Sequence, residues 1–184
     1  DKMSSKIIAK TKFKPLRHVL NSPGIARFPN FQYDMVRLGI GLYGTGNTQN
    51  LPVPLKNVGR LKTTISRIRK LKKGDTVGYG RKGEIAMDST IATIAIGYAD
   101  GFSRALSNGK GKVFIHGKEA PVIGDVCMDM TMIDISGINA TVGDEVIVFD
   151  ENYTVADLAK TLNTIPYEIL TSVSARVKRI YISE

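Results

Sequence analysis

The chain has 184 residues and a formal net charge of +9, with 42% hydrophobic and 23% charged residues. This composition predicts an ordinary globular protein of one or two domains that is long enough to bury a core. No apolar run approaches the roughly 18 residues that cross a bilayer, and no signal-like segment follows Asp1, so we expect a cytoplasmic protein without membrane contact. The single cysteine, Cys127, excludes an internal disulfide and leaves too few thiols for a cysteine zinc site.

The first part of the chain, residues 1–55, alternates between helix-like and strand-like patterns. Helices are predicted over 3–13 and 23–28, and strands over 17–21 and 34–44. The strands carry continuous apolar runs, as expected when helices cover both faces of a parallel sheet. This part therefore predicts the end of an α/β unit. Residues 44–54, rich in Gly, Asn, Thr and Pro, predict a linker after it.

A basic segment, RLKTTISRIRKLKK, follows the predicted linker. It contains seven cations: Arg60, Lys62, Arg67, Arg69, Lys70, Lys72 and Lys73. Basic clusters often bind nucleic acid, but this one has no aromatic residue on which bases could stack, which favours the solvated face of a strand. A basic nucleic-acid-binding β-barrel module stays open as the alternative function.

From residue 56 onward short β-rich segments recur, separated by glycine-containing turns. The predicted strands are 62–69, 89–98, 112–115, 121–127, 131–135 and 145–149. So many short strands would leave exposed edges unless the sheet closes, so we expect a small barrel rather than a sandwich.

Two helices and a strand are predicted at the end of the chain. The first helix, in 154–163, begins with an acidic variant of the capping box, Thr154 and Asp157, and carries its apolar residues on one face. The second, in 166–174, has Pro166 in its first turn. Residues 177–183 predict the last strand.

The first part of the chain also offers a candidate anion site. NSPG places Ser22 and Gly24 between a predicted strand and a helix, and RLGIG places Arg37 beside a turn at Gly39. Backbone N–H groups and a hydroxyl there suit a phosphate, which β/α barrels commonly hold in the loops after their last strands. Taken alone, Asn-Ser-Pro-Gly fits a plain turn better than an anion site, and both interpretations stay open.

The second part offers polar turns but no metal centre. IGYADGFSR and GDVCMDM carry carboxylates without nearby histidines, and His18 and His116 lie in different parts of the chain. No nucleophile elbow, Walker loop or Rossmann glycine pattern is present. Cys127 has no local base and fits a buried hydrophobe better than a nucleophile.

Six segments, in this order and spacing, resemble those of alanine racemases: RHVLNSPG, DMVRLGIGLYG, VGYG, ATIAIGYADGFSR, VIGDVCMDMTMID and PYEILTSVSARVKR. Alanine racemases are pyridoxal-phosphate isomerases with an N-terminal β/α barrel and a C-terminal β-domain. The resemblance implies that residues 1–55 are the end of the β/α (TIM-type) barrel. It implies that residues 56–184 are the mainly β C-terminal domain, a small β-barrel or Greek-key domain with short helices.

The resemblance also implies a two-base interconversion of L-alanine and D-alanine. One base is a barrel lysine that holds the cofactor as a Schiff base and lies outside this chain; the other is a tyrosine that matches Tyr79 in VGYG. A phenol ordinarily ionises near pH 10, so such a base needs positive charge close by. Arg81 and Lys82 are the candidates from sequence proximity, unless they simply face solvent.

The resemblance assigns the remaining site residues by matching positions. Arg37 faces the pyridine nitrogen and, being always charged, keeps that nitrogen unprotonated. Met128 and Asp129 lie at the substrate carboxylate, with the N–H of Met128 as donor. The residues that match the phosphate-binding group are Ser22, Gly39, Ile40 and Tyr167. The residues that match the substrate entrance and its surroundings are Tyr98, Arg104, His18 and Arg179.

Partners follow from the same resemblance. It implies alanine as the substrate, a head-to-tail homodimer in which Tyr79 completes the other subunit's site, and D-alanine supplied for peptidoglycan. VGYG, RLG, CMDM and RVKR depart from common family forms without removing a matched functional side chain. Because the cofactor lysine is absent from it, the chain on its own is predicted neither to bind pyridoxal phosphate tightly nor to racemise alanine.

Overall fold

A computed structural model describes residues 2–11, 13–46 and 54–182 of the chain. The chain divides into two compact units, Asp1–Val58 and Gly59–Glu184. Residues 47–53 of the predicted linker lie outside the described residues. None of the described helices is long and apolar enough to cross a membrane.

In the described part of the first unit, the chain forms two helices and two short 3₁₀ turns. Helix α1 spans Lys2–Ile8 and helix α2 spans Ser22–Arg27, while the 3₁₀ turns span Pro29–Phe31 and Ile40–Tyr43. Asn21 caps α2, because its side-chain oxygen accepts a hydrogen bond from the Gly24 N–H at 3.1 Å. Both helices were expected from the sequence.

The two strands predicted in this unit do not form. Residues 17–21 and 34–39 have no strand structure, and 40–43 form a 3₁₀ turn instead. The two segments still lie side by side, since Asp34 N–H donates to the Arg17 carbonyl at 3.2 Å and Arg37 N–H to the Leu20 carbonyl at 2.9 Å. These two hydrogen bonds fall short of the evenly spaced ladder of a paired parallel strand, so the two segments do not form a sheet.

The second unit is a nearly closed β-barrel, as predicted. Its strands are β1 Leu61–Leu71, β2 Thr76–Val77, β3 Gly83–Glu84, β4 Ser89–Ile94, β5 Lys112–Ile115, β6 Lys118–Pro121, β7 Thr131–Asp134 and β8 Glu145–Phe149. Six of them pair antiparallel in the order β6-β5-β8-β1-β4-β7, and a bridge between Val122 and Ile133 links the two ends. The inward side chains form one core that includes Ile65, Ile94, Val113, Ile133 and Val146.

Helices α3 (Val155–Leu162) and α4 (Pro166–Ser172) pack against this barrel. The capping box of α3 is present as predicted: Asp157 N–H donates to Thr154 Oγ1 at 3.3 Å, and Thr154 N–H donates to Asp157 Oδ2 at 2.8 Å. Val155 and Leu158 are buried in the barrel core. The helices therefore cover the barrel with the apolar face that the sequence pattern indicated.

Two strand predictions in the second unit were wrong. Residues 121–127 were expected to be a strand, but the strand is β6 at Lys118–Pro121, which overlaps the prediction only at Pro121. The chain reverses already at His116 and Gly117, which both have positive φ (50° and 75°), the backbone of a tight hairpin turn. After β6, Gly124 has φ 68°, which interrupts an extended strand. The strand predicted over 177–183 is absent from the described residues up to 182.

The basic segment forms strand β1 and its flanks. Three of its seven cations pair with carboxylates: Arg60 with Glu151 at 2.8 Å, Lys62 with Glu145, and Lys72 with Asp88 at 2.6 Å. All three cationic side chains are about half exposed or more. The segment therefore presents a solvated, partly charge-compensated strand face.

Candidate active site

Ser22 organises a group of hydrogen-bond donors in the first unit. Its hydroxyl oxygen accepts from the Gly39 N–H at 2.9 Å and from the Gly41 N–H at 3.2 Å, so two segments 17 to 19 residues apart converge on one oxygen. A side chain at Gly39 would meet nothing within 4 Å, so the space beside it is open. The structure thus brings together Ser22, Gly39 and Ile40, three of the four residues predicted for the phosphate.

Arg37 lies next to this group. Its main-chain N–H donates to the Leu20 carbonyl, and its guanidinium Nη2 lies 3.4 Å from the Val19 carbonyl oxygen. His18, predicted at the substrate entrance, is exposed and lines an apolar cleft of about 550 Å³ together with Leu20 and Phe31. The site residues of this unit therefore lie on the paired segments 17–22 and 34–41.

Tyr79 lies at the tip of the hairpin formed by β2 and β3. Its side chain is 77% exposed. Gly78 and Gly80 both have positive φ, 77° and 66°, and a side chain on Gly78 would come within 3.0 Å of the Met132 side chain. The two glycines therefore permit the turn that presents the phenol to solvent. This hairpin was not predicted from the sequence.

An apolar cluster anchors the hairpin beneath the exposed phenol. It consists of Ile85, Ile91, Cys127 and Met132, with Val77 packed against it. Burial raises the pKa of the Cys127 thiol, and the nearby main-chain N–H of Tyr79 opposes the rise. Cys127 is buried as predicted, and its cluster joins β2, through Val77, to the segment that carries Met128.

The two cations after Tyr79 have other partners. Arg81 Nε donates to Thr76 Oγ1 at 3.1 Å, and Lys82 Nζ lies 3.1 Å from Asp125 Oδ2. Both charges are therefore committed to fixing the hairpin. The hypothesis that they directly assist the phenol of Tyr79 receives no support from these contacts.

Asp125 is a nearly buried carboxylate that sequence reasoning did not single out. It accepts from Asn108 Nδ2 at 2.9 Å and Arg104 Nη2 at 2.8 Å, in addition to Lys82. The hydrogen bond from Asn108, followed by those from Lys82 and Arg104, holds the pKa of Asp125 below its ordinary value. Arg104, predicted at the substrate entrance, is thereby joined to the hairpin of Tyr79 through one carboxylate.

Met128 and Asp129 lie in a tight turn held by the segment that begins at Gly97. The N–H of Tyr98 donates to the Cys127 carbonyl and the N–H of Ala99 to the Met128 carbonyl, both at 3.0 Å. A side chain on Gly97 would come within 2.3 Å of the Cys127 oxygen, so only glycine fits. The Met128 side chain is exposed, as is that of Tyr98.

Two arginines near the end of the chain make different kinds of contact. Arg179, predicted at the substrate entrance, donates to the main-chain carbonyls of Val173, Ser174 and Val177 and so fixes the local turn. Arg176, which was not predicted, bridges Asp100 and Asp129. Its partners lie 76 and 47 residues away, so no local motif indicated the contact.

Tyr167 is in the first turn of α4 and its side chain is 42% exposed. Tyr98 and Arg104 line a cleft of about 520 Å³ in the same unit, with Glu168 and Ser172 on the α4 side. Among the described residues no group of histidine, cysteine and acidic side chains is arranged to hold a metal ion.

Comparison with known proteins identifies this architecture. Residues 58–181 match the family described as alanine racemase, C-terminal domain, and residues 2–47 match alanine racemase, N-terminal domain. The chain belongs to the alanine racemase family.

The relatives agree along nearly the whole chain. Alanine racemase 1 of Clostridium acetobutylicum is 42% identical over 175 residues, which are 91% of this chain and 45% of that protein. The alanine racemase of Bacillus anthracis with bound L-Ala-P superposes with a TM-score of 0.89 at 32% identity, covering 99% of this chain and 49% of that one. The chain thus spans about half the length of the relatives it matches.

A third comparison concerns the cofactor. The alanine racemase of Bartonella henselae, solved with covalently bound pyridoxal phosphate, superposes with a TM-score of 0.84 at 36% identity. The superposition covers 97% of this chain and 50% of the Bartonella henselae chain. None of these relatives favours the nucleic-acid-binding alternative.

Proposed function

We propose that the protein containing this chain is an alanine racemase that interconverts L-alanine and D-alanine with pyridoxal phosphate. The observation that carries the proposal is the placement of Tyr79: an exposed phenol on a glycine-shaped turn, which follows a strand packed on the same apolar cluster as Cys127, the neighbour of Met128. The proposed proton-transferring group and the proposed main-chain donor for a carboxylate therefore lie on segments that share one cluster.

The donor set of the first unit fits the phosphate of this cofactor. Ser22 Oγ accepts from the N–H groups of Gly39 and Gly41, which orients its own O–H as a donor beside the open space at Gly39, and such a neutral donor suits a phosphate dianion. We assign the phosphate to Ser22, Gly39, Ile40 and Tyr167. Arg37 supplies a permanent positive charge for the pyridine nitrogen, and the Val19 carbonyl orients its guanidinium.

The bound cofactor withdraws electrons from the α-carbon of alanine and so makes its C–H acidic. Tyr79 then removes or returns a proton at its phenolic oxygen on one face of the α-carbon. Inversion needs a second base on the opposite face, and the family resemblance assigns that role to a lysine outside this chain. The N–H of Met128 does not take part in the proton transfer. It orients the substrate by donating a hydrogen bond to the substrate carboxylate.

The finer assignments belong to the same proposal. We assign residues 1–55 to the end of the cofactor-binding barrel and 56–184 to the C-terminal domain. The substrate entrance is assigned to Tyr98, Arg104, His18 and Arg179. Arg179 also has a structural role, because it holds the local turn. A head-to-tail homodimer, a cytoplasmic location and supply of D-alanine for peptidoglycan stay predictions.

The direct test is racemisation by the complete protein. Purified with pyridoxal phosphate, it is expected to convert either enantiomer of alanine into an equal mixture, measured by chiral chromatography. Failure to convert either enantiomer, in protein that carries the cofactor, would refute the proposal.

A further inference from the structure

Arg176 connects three segments that are remote in the sequence. Its Nε lies 2.7 Å from Asp100 Oδ1, and its Nη2 lies 2.6 Å from Asp129 Oδ1. One guanidinium therefore binds two carboxylates on different loops. These carboxylates raise the pKa of Arg176 further above its ordinary value, so its charge is permanent.

Asp100 connects Arg176 to the segment that supports Met128. Its Oδ2 accepts from the Gly97 N–H at 2.8 Å, and its carbonyl accepts from the Ser174 N–H at 3.2 Å. Tyr98 and Ala99, which follow Gly97, donate their N–H groups to the carbonyls of Cys127 and Met128, on either side of the Met128 N–H. Arg176 thus joins two segments at the Met128 turn: residues 97–100, through Asp100, and the turn itself, through Asp129.

The second contact of Arg176 concerns charge. Asp129 directly follows Met128, and its side chain is 55% exposed. A substrate carboxylate that approaches the Met128 N–H would meet the negative charge of Asp129. Arg176 neutralises that charge from 2.6 Å, which removes a repulsion that would otherwise oppose substrate binding.

We propose that Arg176 is a positioning residue for the substrate carboxylate: it fixes the Met128 turn through Asp100 and neutralises Asp129 beside it. This role rests on the proposed racemase function. It does not involve contact between Arg176 and the substrate, and it is separate from the proton transfer by Tyr79.

The test uses the complete enzyme and compares Arg176→Gln with Arg60→Gln. Arg60 makes a similarly exposed ion pair with Glu151 that has no connection to the Met128 turn. Arg176→Gln is expected to raise the KM for alanine by about tenfold in both directions with kcat changed much less, because carboxylate binding is weakened in ground and transition state alike. Arg60→Gln is expected to leave both constants unchanged.

A second variant keeps the inference testable if Arg176→Gln does not fold. Arg176→Lys retains the charge but reaches one carboxylate instead of two, so an intermediate KM is expected. Inhibition by propionate, which has the carboxylate of alanine but no amino group, should weaken in the same order as the KM rises. Unchanged KM and propionate inhibition in both variants would overturn the proposal, as would an equal effect of Arg60→Gln.

The two proposals fail in different ways. If the wild-type enzyme does not racemise alanine, the proposed function is wrong. If the wild type racemises alanine and Arg176→Gln lowers kcat while KM and propionate inhibition stay the same, the function holds and the role assigned to Arg176 is wrong.

Discussion

Lys82 and Asp125 form an ion pair of 3.1 Å between the Tyr79 turn and the segment that leads to Met128. Lys82 is the third residue after Tyr79, and Asp125 is the third before Met128. The pair therefore ties the proposed base to the proposed carboxylate donor from the outside, while the apolar cluster that contains Cys127 and contacts Val77 joins them from the inside. Distances between the reacting groups depend on both links.

Asp125→Asn is expected to loosen the Tyr79 hairpin. An amide cannot accept from Lys82, Arg104 and Asn108 with the strength of a carboxylate, so kcat of the complete enzyme should fall by about tenfold through misplacement of the phenol. Steady-state kinetics measure the change. Asp134→Asn, at the half-buried end of β7, is the matched control and should leave kcat unchanged.

The same variant predicts a pH dependence of stability. The pKa of Asp125 is lowered in the folded state, so the unfolded chain binds the proton more tightly. The stabilisation is therefore complete above about pH 5 and is lost as the pH falls through the folded pKa. Thermal unfolding measured from pH 7 to pH 3 should give wild type a higher Tm than Asp125→Asn at neutral pH. The two Tm values should converge as the pH falls. A constant Tm difference would contradict the assignment.

Gly97→Ala should disrupt the Met128 turn although its backbone is ordinary. The new methyl would lie 2.3 Å from the Cys127 oxygen and 2.4 Å from the Met128 oxygen, both main-chain atoms. We expect a loss of about 2 kcal/mol or more of unfolding free energy, measured by denaturant titration, together with a marked rise in KM. Gly109→Ala is the contrast: φ is 81° there but nothing lies within 4 Å, so only the backbone cost of about 1 kcal/mol is expected. Equal losses would show that crowding at Gly97 is not the cause.

Cys127 is expected to react slowly with thiol reagents. It is buried and its pKa is raised, so the thiolate is scarce near neutral pH. Mass spectrometry of the peptide that contains Cys127, after timed exposure to iodoacetamide, should show much slower labelling in the folded protein than in denaturant. Equal rates would mean that the hairpin opens readily and does not hold Tyr79 in place.

The chain on its own is predicted to be inactive. It carries one proposed base, and the family resemblance assigns the other base and the covalent attachment of the cofactor to a lysine outside it. Mixed with pyridoxal phosphate, the chain should show no Schiff-base absorbance band that survives dialysis and should form no D-alanine from L-alanine. Either signal would contradict this prediction.

The sequence predicted the barrel because its strands are defined locally. Strands β1, β4 and β8 carry their own apolar patterns, and α3 carries its own capping box. The segment 121–127 misled because its apolar residues pack on the barrel without joining the sheet ladder, apart from the bridge at Val122. Residues 17–21 and 34–38 have strand-like composition, but composition cannot supply the neighbouring strands that a parallel sheet requires.

The candidate site was predicted only in part for a similar reason. Glycine-flanked Tyr79 and the Ser22 turn are visible as short motifs, and the resemblance gave them roles. Asp125 and Arg176 act through partners up to 76 residues away, and charged residues of this kind look like ordinary surface in the sequence. Contacts between remote residues come from the fold and cannot be read from spacing.

The central claim is that Tyr79 is one of two bases. The most direct measurement is the exchange of the Cα hydrogen of alanine with deuterium, together with racemisation, in the complete enzyme carrying Tyr79→Phe. Tyr181→Phe, which alters an exposed phenol near the end of the chain, is the matched control. We predict that Tyr79→Phe lowers racemisation by about 100-fold or more while exchange persists for one enantiomer only, because the base on the other face remains. Racemisation and exchange at wild-type rates for both enantiomers would contradict the claim.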